Sequence, residues 1–251
     1  MGDTAENRRV NEEHDFISSG LGYVLHPTIT RSLEDSRGSN SEKLRVADVS
    51  QGDQFSATAS LPFSPQETIV DQITFQSVIK PGSIPPESRG IYDVVCIRLL
   101  HASLEIDQWD EAMQNLVALL KPGAWLQWVD WDPMTARIAT VKPGAPDGIL
   151  RGLLSDYADA MRAAKVGNTY RIANAMRPNL EELDSDMYTI DPSVELSKII
   201  ASGAISYLQQ NGKYTSAEAQ DVGIKTEQEI DQAGSLCFFD LWSHIGRKPV
   251  C

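Results

Sequence analysis

Arg98 and His101 stand three positions apart at the end of an apolar, β-branched run, YDVVCIRLL, and just beyond it. If that run is a strand, both residues sit near its carboxyl end, where open α/β sheets place their ligand crevices. A histidine there can exchange a proton near neutral pH, and a guanidinium can polarise a carbonyl oxygen. Equally, Arg98 can pair with a carboxylate such as Glu105, and His101 can cap a turn. Asp48 closes a second apolar run, LRVADV, and is a candidate to hold a ligand hydroxyl or amine from the same end of the sheet. Trp125, Trp128 and Trp131, with Asp130 and Asp132, crowd a third run, AWLQWVDWD. Alternation sends Trp128 and Asp130 to the face opposite Trp125 and Trp131. Core packing accounts for Trp125 and Trp128. Trp131, Asp132 and Met134 fall past the expected strand and are candidates to line an apolar pocket with a few polar groups. Tyr157, Met161, Tyr170 and Arg171 are candidates to cover that pocket from a helical segment, although helix-to-sheet packing explains them equally well.

A helix within the stretch Phe16 to Leu25 is expected to stop before Pro27. Residues 31–43 (RSLEDSRGSNSEK) are polar and turn-rich and read as a linker or exposed loop. LRVADV and QITFQSV are strand candidates, and KPGSIPPESRG carries too much Pro and Gly for regular structure. YDVVCIRLL has the continuous apolar character of a strand covered on both faces. Trp109, Met113, Leu116 and Leu120 then form a helical stripe, which Lys121-Pro122-Gly123 should end. A strand follows, so the block is a right-handed βαβ unit. Beyond Asp132 the pattern is helical: one stripe runs from Leu150 to Met161, another begins at Leu196, and a third helix opens at Thr215 with Glu218 in capping-box position. SLCFFDLWSHIGRKP reads as a closing strand. The expected organisation is an N-terminal helical segment and linker (1–43) and one α/β domain (44–251), with a helical, substrate-covering part at about 147–232.

Composition narrows the function classes. The chain has 251 residues, 41% hydrophobic and 23% charged, with a formal net charge of −13. Such a balance offers no basic patch to a phosphate backbone, so nucleic acid is not an expected partner. No apolar run approaches the ~18 residues of a membrane span, and the charged N-terminus lacks the apolar core of a signal peptide. Glu6 stands where an N-myristoylation signal needs Ser or Thr. Cys96, Cys237 and Cys251 show no C-x-x-C spacing, so neither a zinc site nor a disulfide framework is expected; reduced thiols in a cytoplasmic protein are.

The block YDVVCIRLLHASLEIDQWDEAMQNLVALLKPGAWLQWVDWDP resembles the fungal class I methyltransferase-like family of secondary metabolism. That family shows Y-D-V-V-x-x-R-L at its fourth strand and L-K-P-G-G-x-L-Q-W at its fifth. The closing WSHIGRKP resembles its last strand, and GYVLHPTI its approach to the core. The resemblance implies a Rossmann-like class I methyltransferase fold: a mostly parallel, seven-stranded sheet flanked by helices, with S-adenosylmethionine at the carboxyl ends of the early strands. On that pattern Asp48, Ser50 and Gly52 fall at the cofactor position. The family's glycine-rich D-x-G-x-G-x-G loop is replaced here by Ser50-Gln51-Gly52-Asp53-Gln54-Phe55, with a single glycine and an added carboxylate. ADVSQGDQF also resembles the family's second-strand segment F-D-I-S-x-x-Q-F, as though the glycine loop and its helix had been deleted. The expected fold is therefore truncated in its N-terminal, cofactor-binding half.

Three functions follow from the resemblance. The first is a natural-product enzyme that needs no cofactor and cyclises an apolar polyketide or terpenoid intermediate, as pericyclase relatives of the family do. Arg98 and His101 would be its catalytic donors. The second is a small-molecule methyltransferase using S-adenosylmethionine through an altered loop. The third is a non-catalytic binding or regulatory protein, with a homodimer left open.

Overall fold

The computed structural model describes residues 16–37, 42–50, 63–64, 66–74, 78–80 and 84–250. By internal contacts the chain divides into two compact units. One, the sheet unit, draws on residues 21–131, 168–188 and 242–251; the other, the helical unit, on 1–20, 132–167 and 189–241. In chain order the elements are α1 (Pro27–Arg37), β1 (Leu44–Ser50), β2 (Thr68–Thr74), β3 (Tyr92–Arg98), α2 (Trp109–Leu119), β4 (Leu120–Thr140), α3 (Gly148–Ala163), α4 (Arg171–Met176), β5 (Glu181–Thr189), α5 (Val194–Gln210), α6 (Ser216–Gln228) and β6 (Ser235–Arg247).

The six strands form one sheet in the order β2-β1-β3-β4-β6-β5. β1 runs parallel to β2 and to β3, and β3 runs parallel to β4. Backbone bonds from Gly123 to Lys248 and from Val141 to Gly234 set β6 antiparallel to β4. This is a mixed α/β, Rossmann-like plan, with six strands among the described residues against the seven that the resemblance implies.

The parallel strands are apolar on both faces, as their composition requires. On one face Ala47, Val49, Val95, Ile97, Leu126 and Trp128 pack with the buried stripe of α2, which includes Trp109, Met113 and Leu116. Trp109 and Trp128 stack with centroids 5.4 Å apart. On the other face Val46, Val94, Cys96, Trp125 and Ile245 pack with Leu25, Ile29 and Leu33. The buried Gln127 amide fixes the approach to α1: its Oε1 accepts from His26 N at 2.7 Å and its Nε2 donates to Val24 O at 2.9 Å.

Four expectations need correction. Residues 31–37 continue α1 rather than forming a linker, because Ile29 and Leu33, one turn apart, give an otherwise polar helix an apolar side to bury. β2 lies at Thr68–Thr74, four residues before the expected start of QITFQSV. β4 runs on to Thr140, so Trp131, Asp132 and Met134 lie within the strand and not past its end. The segment 147–232 contains β5, whose residues Glu181–Ser185 are all exposed; as the outermost strand it shows no apolar alternation to read. A smaller departure is a single 3-10 turn at Pro86–Ser88 inside the Pro-rich stretch. The expected start of the Thr215 helix holds: Thr215 and Glu218 form a reciprocal capping box.

Leu116 is fully buried between α2 and the sheet. Leu116→Ala should cost about 2–5 kcal/mol, read as a lower urea midpoint, whereas Glu111→Ala on the same helix should leave the midpoint within about 0.5 kcal/mol.

Candidate functional site

The chain passes from β1 outward to β2 and then returns across β1 to β3. That reversal makes the carboxyl ends of β1 and β3 the topological switch point, where open α/β sheets form their crevice. Asp48 and Arg98 meet there. Asp48 pairs in register with Gln72 on one side and Cys96 on the other. Its carboxylate is 1% exposed, with Arg98 Nη2 at 3.8 Å and Gln72 Nε2 donating at 3.4 Å. Arg98 is itself only 8% exposed. A buried cation and a buried anion thus face each other, each offsetting part of the other's desolvation.

A second pair lies on the opposite face of the sheet. Asp130 of β4 is fully buried and accepts four hydrogen bonds. Oδ2 takes Leu100 N at 2.9 Å and Trp128 Nε1 at 3.1 Å; Oδ1 takes Trp131 N at 3.0 Å and lies 2.7 Å from His101 Nδ1. The surrounding donors make Asp130 an acceptor, so Nδ1 of His101 carries the hydrogen. The turn that delivers His101 is strained: Leu99 has φ +56°, a left-handed conformation that a bulky residue adopts only when its surroundings impose it. The bonds Leu99 N to Val129 O and Leu100 N to Asp130 impose it here.

A third polar group, His244 of β6, is buried with its Nδ1 2.7 Å from Ser185 Oγ and its ring parallel to Trp242. Burial pushes its pKa down to about 4, against the pull of the Asp130 carboxylate, so the ring is neutral at pH 7. Burial also pushes the Cys96 and Cys237 thiols up to about 12, which keeps both protonated and unreactive.

The predicted substrate residues divide between the two units. In the sheet unit, Trp131 is buried, Tyr170 is 62% exposed at the start of α4, and Arg171 is half-buried beside it. In the helical unit, Met134 and Met161 come together over Gly167, where an added β-carbon would lie 3.1 Å from Met134 Cε and 3.0 Å from Met161 Sδ. Tyr157 meets Tyr207 edge-on at 5.4 Å, and Asp132 Oδ1 accepts from Met134 N at 3.1 Å. Of the predicted cofactor residues, Asp48 is placed as described, Ser50 ends β1 opposite Thr74, and Gly52 lies outside the described residues. Gln72 had not been named, and the sequence gives no signal for it; Asp130 had been named beside its tryptophans but given no role. Asp130 had a signal, since alternation already set it on the face of Trp128, where a carboxylate must find donors.

The architecture is a mixed α/β, Rossmann-like plan. No protein-family model matches the chain. A segment of 56 residues is 38% identical to the methyltransferase grgD of a Penicillium species, covering 22% of this chain and 19% of that protein. Among solved structures, a Bacillus halodurans protein assigned as a methyltransferase covers 89% of this chain and 100% of its own, at 15% identity and TM-score 0.45. The [4+2]-cyclase SpnF covers 88% and 80% at 12% identity and TM-score 0.40. The geranyl diphosphate C-methyltransferase of Streptomyces coelicolor covers 87% and 74% at 10% identity and TM-score 0.38.

The depressed pKa of His244 gives a pH dependence with a defined sign. Between its folded value near 4 and the unfolded value near 6.5 the unfolded chain binds the extra proton, so stability falls as pH falls. The contribution is full above about pH 6.5 and lost at up to about 1.4 kcal/mol per pH unit below it. Urea unfolding of the wild type and His244→Asn across this range should show a shallower acid slope in the variant. Parallel slopes would remove His244 as the source.

Proposed function

We propose that this chain is a natural-product biosynthetic enzyme that works without S-adenosylmethionine, cyclising an apolar polyketide or terpenoid intermediate in the manner of a pericyclase. The observation that carries the reading is the Arg98 guanidinium against the Asp48 carboxylate. A strand-end carboxylate serves the cofactor only if its oxygens can reach a ribose hydroxyl or the methionine ammonium. Here that carboxylate is 1% exposed and already faces a fixed cation and the Gln72 amide. The described residues at this position do not fit the cofactor, and no step is assigned to it.

Cyclisation of a bound polyene asks for little beyond orientation and polarisation of a conjugated carbonyl. Arg98 supplies a buried cation at the switch point, and His101 supplies a ring whose tautomer Asp130 fixes. With Nδ1 committed to Asp130, Nε2 takes a proton as a base or, once protonated, donates it to a carbonyl oxygen.

Methyl transfer is the competing reading, favoured by the 56-residue likeness to a fungal methyltransferase. Calorimetric titration with S-adenosylmethionine separates the two. The expected result is no saturable binding, together with turnover of a polyene carbonyl substrate that falls about 10²-fold in Arg98→Ala and in His101→Ala. Saturable binding with formation of a methylated product overturns the proposal.

A further inference from the structure

The helical unit contains a cavity of about 420 Å³ that none of the predicted substrate residues lines. It runs along residues 136–139 of β4 and is completed by Arg151 and Leu154 of α3 and Phe238 of β6. Two of its lining residues are arginines, in a chain whose net charge is −13. Arg137 is held on two sides: its guanidinium lies 4.7 Å above the centre of the Phe238 ring and is ion-paired with Asp240. Asp240 is positioned in turn by its backbone N–H, which donates to Thr135 Oγ1 at 2.9 Å. Arg151 pairs with Asp147 one turn back on α3. A guanidinium carries five N–H donors, and one of them meets an aspartate in each case. The other walls, Ile138, Leu154 and Phe238, are apolar.

A pre-oriented guanidinium, a second arginine and an apolar trough form a composite recognition surface. The cations suit a carboxylate or phosphate, which arginine binds in forked pairs, and the trough suits a hydrocarbon tail. We propose that this cavity binds an anionic amphiphile, with its head on Arg137 and Arg151 and its alkyl or prenyl tail against Ile138, Leu154 and Phe238. Each aspartate partner limits the affinity by neutralising part of one cation, yet it also fixes where the remaining donors point. This site needs no assumption about the reaction at Arg98 and His101, and binding alone tests it.

The full-length protein is titrated calorimetrically with decyl phosphate, decanoate, 1-decanol and inorganic phosphate, each below its micelle concentration. One saturable site is expected for decyl phosphate or decanoate, and the tighter of the two names the head group. Decanol and inorganic phosphate should each bind at least about tenfold more weakly, since each lacks half of the contact. Arg151→Gln, at an exposed position that leaves the fold intact, should weaken the anionic amphiphile about tenfold. Arg137→Gln and Phe238→Ala should weaken it at least as much. The proposal is overturned if no amphiphile binds, if decanol matches the anions, or if Arg151→Gln binds as the wild type does.

Discussion

A carboxylate with no solvent contact has to be surrounded by donors, and Asp130 imposes this condition on the sheet unit. It gathers two backbone N–H groups, an indole and an imidazole from two consecutive loop residues and its own strand. Leu100 and His101 are thereby drawn toward β4, and the turn that brings them there passes through Leu99 at φ +56°. Trp128, tied to the same carboxylate, is also the residue on which Trp109 of α2 stacks. Removing this one side chain would take an acceptor from an imidazole, an indole and two amides at once.

The two dyads differ in what surrounds them. Arg98 and Asp48 lie on the face covered by α1, beside the Gln72 amide, and their charges are opposite and close. His101 and Asp130 lie on the α2 face and share a hydrogen bond that sets a tautomer. One arrangement is a buried pair of opposite charges, the other a short hydrogen bond to a histidine ring. Arg98 ends β3 and His101 lies just past it, at the end of the sheet where the winding order reverses.

Much of the sheet unit was legible because burial on both faces writes itself into composition. Tyr92–Arg98 and Leu44–Val49 read as strands from uninterrupted apolar, β-branched residues, and α2 from the spacing of Trp109, Met113 and Leu116. β5 was illegible for the opposite reason: an outermost strand with a solvated face needs no apolar pattern. α1 was misread because only two of its residues, Ile29 and Leu33, carry its burial, too few to outweigh a polar composition. The far end of β4 was misread because Pro133 and the small polar residues after it suggest a turn, while pairing with β6 carries the strand on. Among the candidate residues, Arg98, His101 and Asp48 were suggested by strand ends alone. The partners that give them direction come from elements distant in sequence, and spacing does not encode those meetings.

The outermost strand also bears on how copies of this chain meet. β5 carries Glu181, Glu182, Asp184 and Asp186 within six positions, along a backbone edge that would otherwise invite another strand. Two such edges brought side by side would set like charges against each other, even with Glu182 paired to Arg247 and Asp186 beside His26. The strand therefore guards its own open edge by charge. High salt screens that repulsion and so weakens the guard.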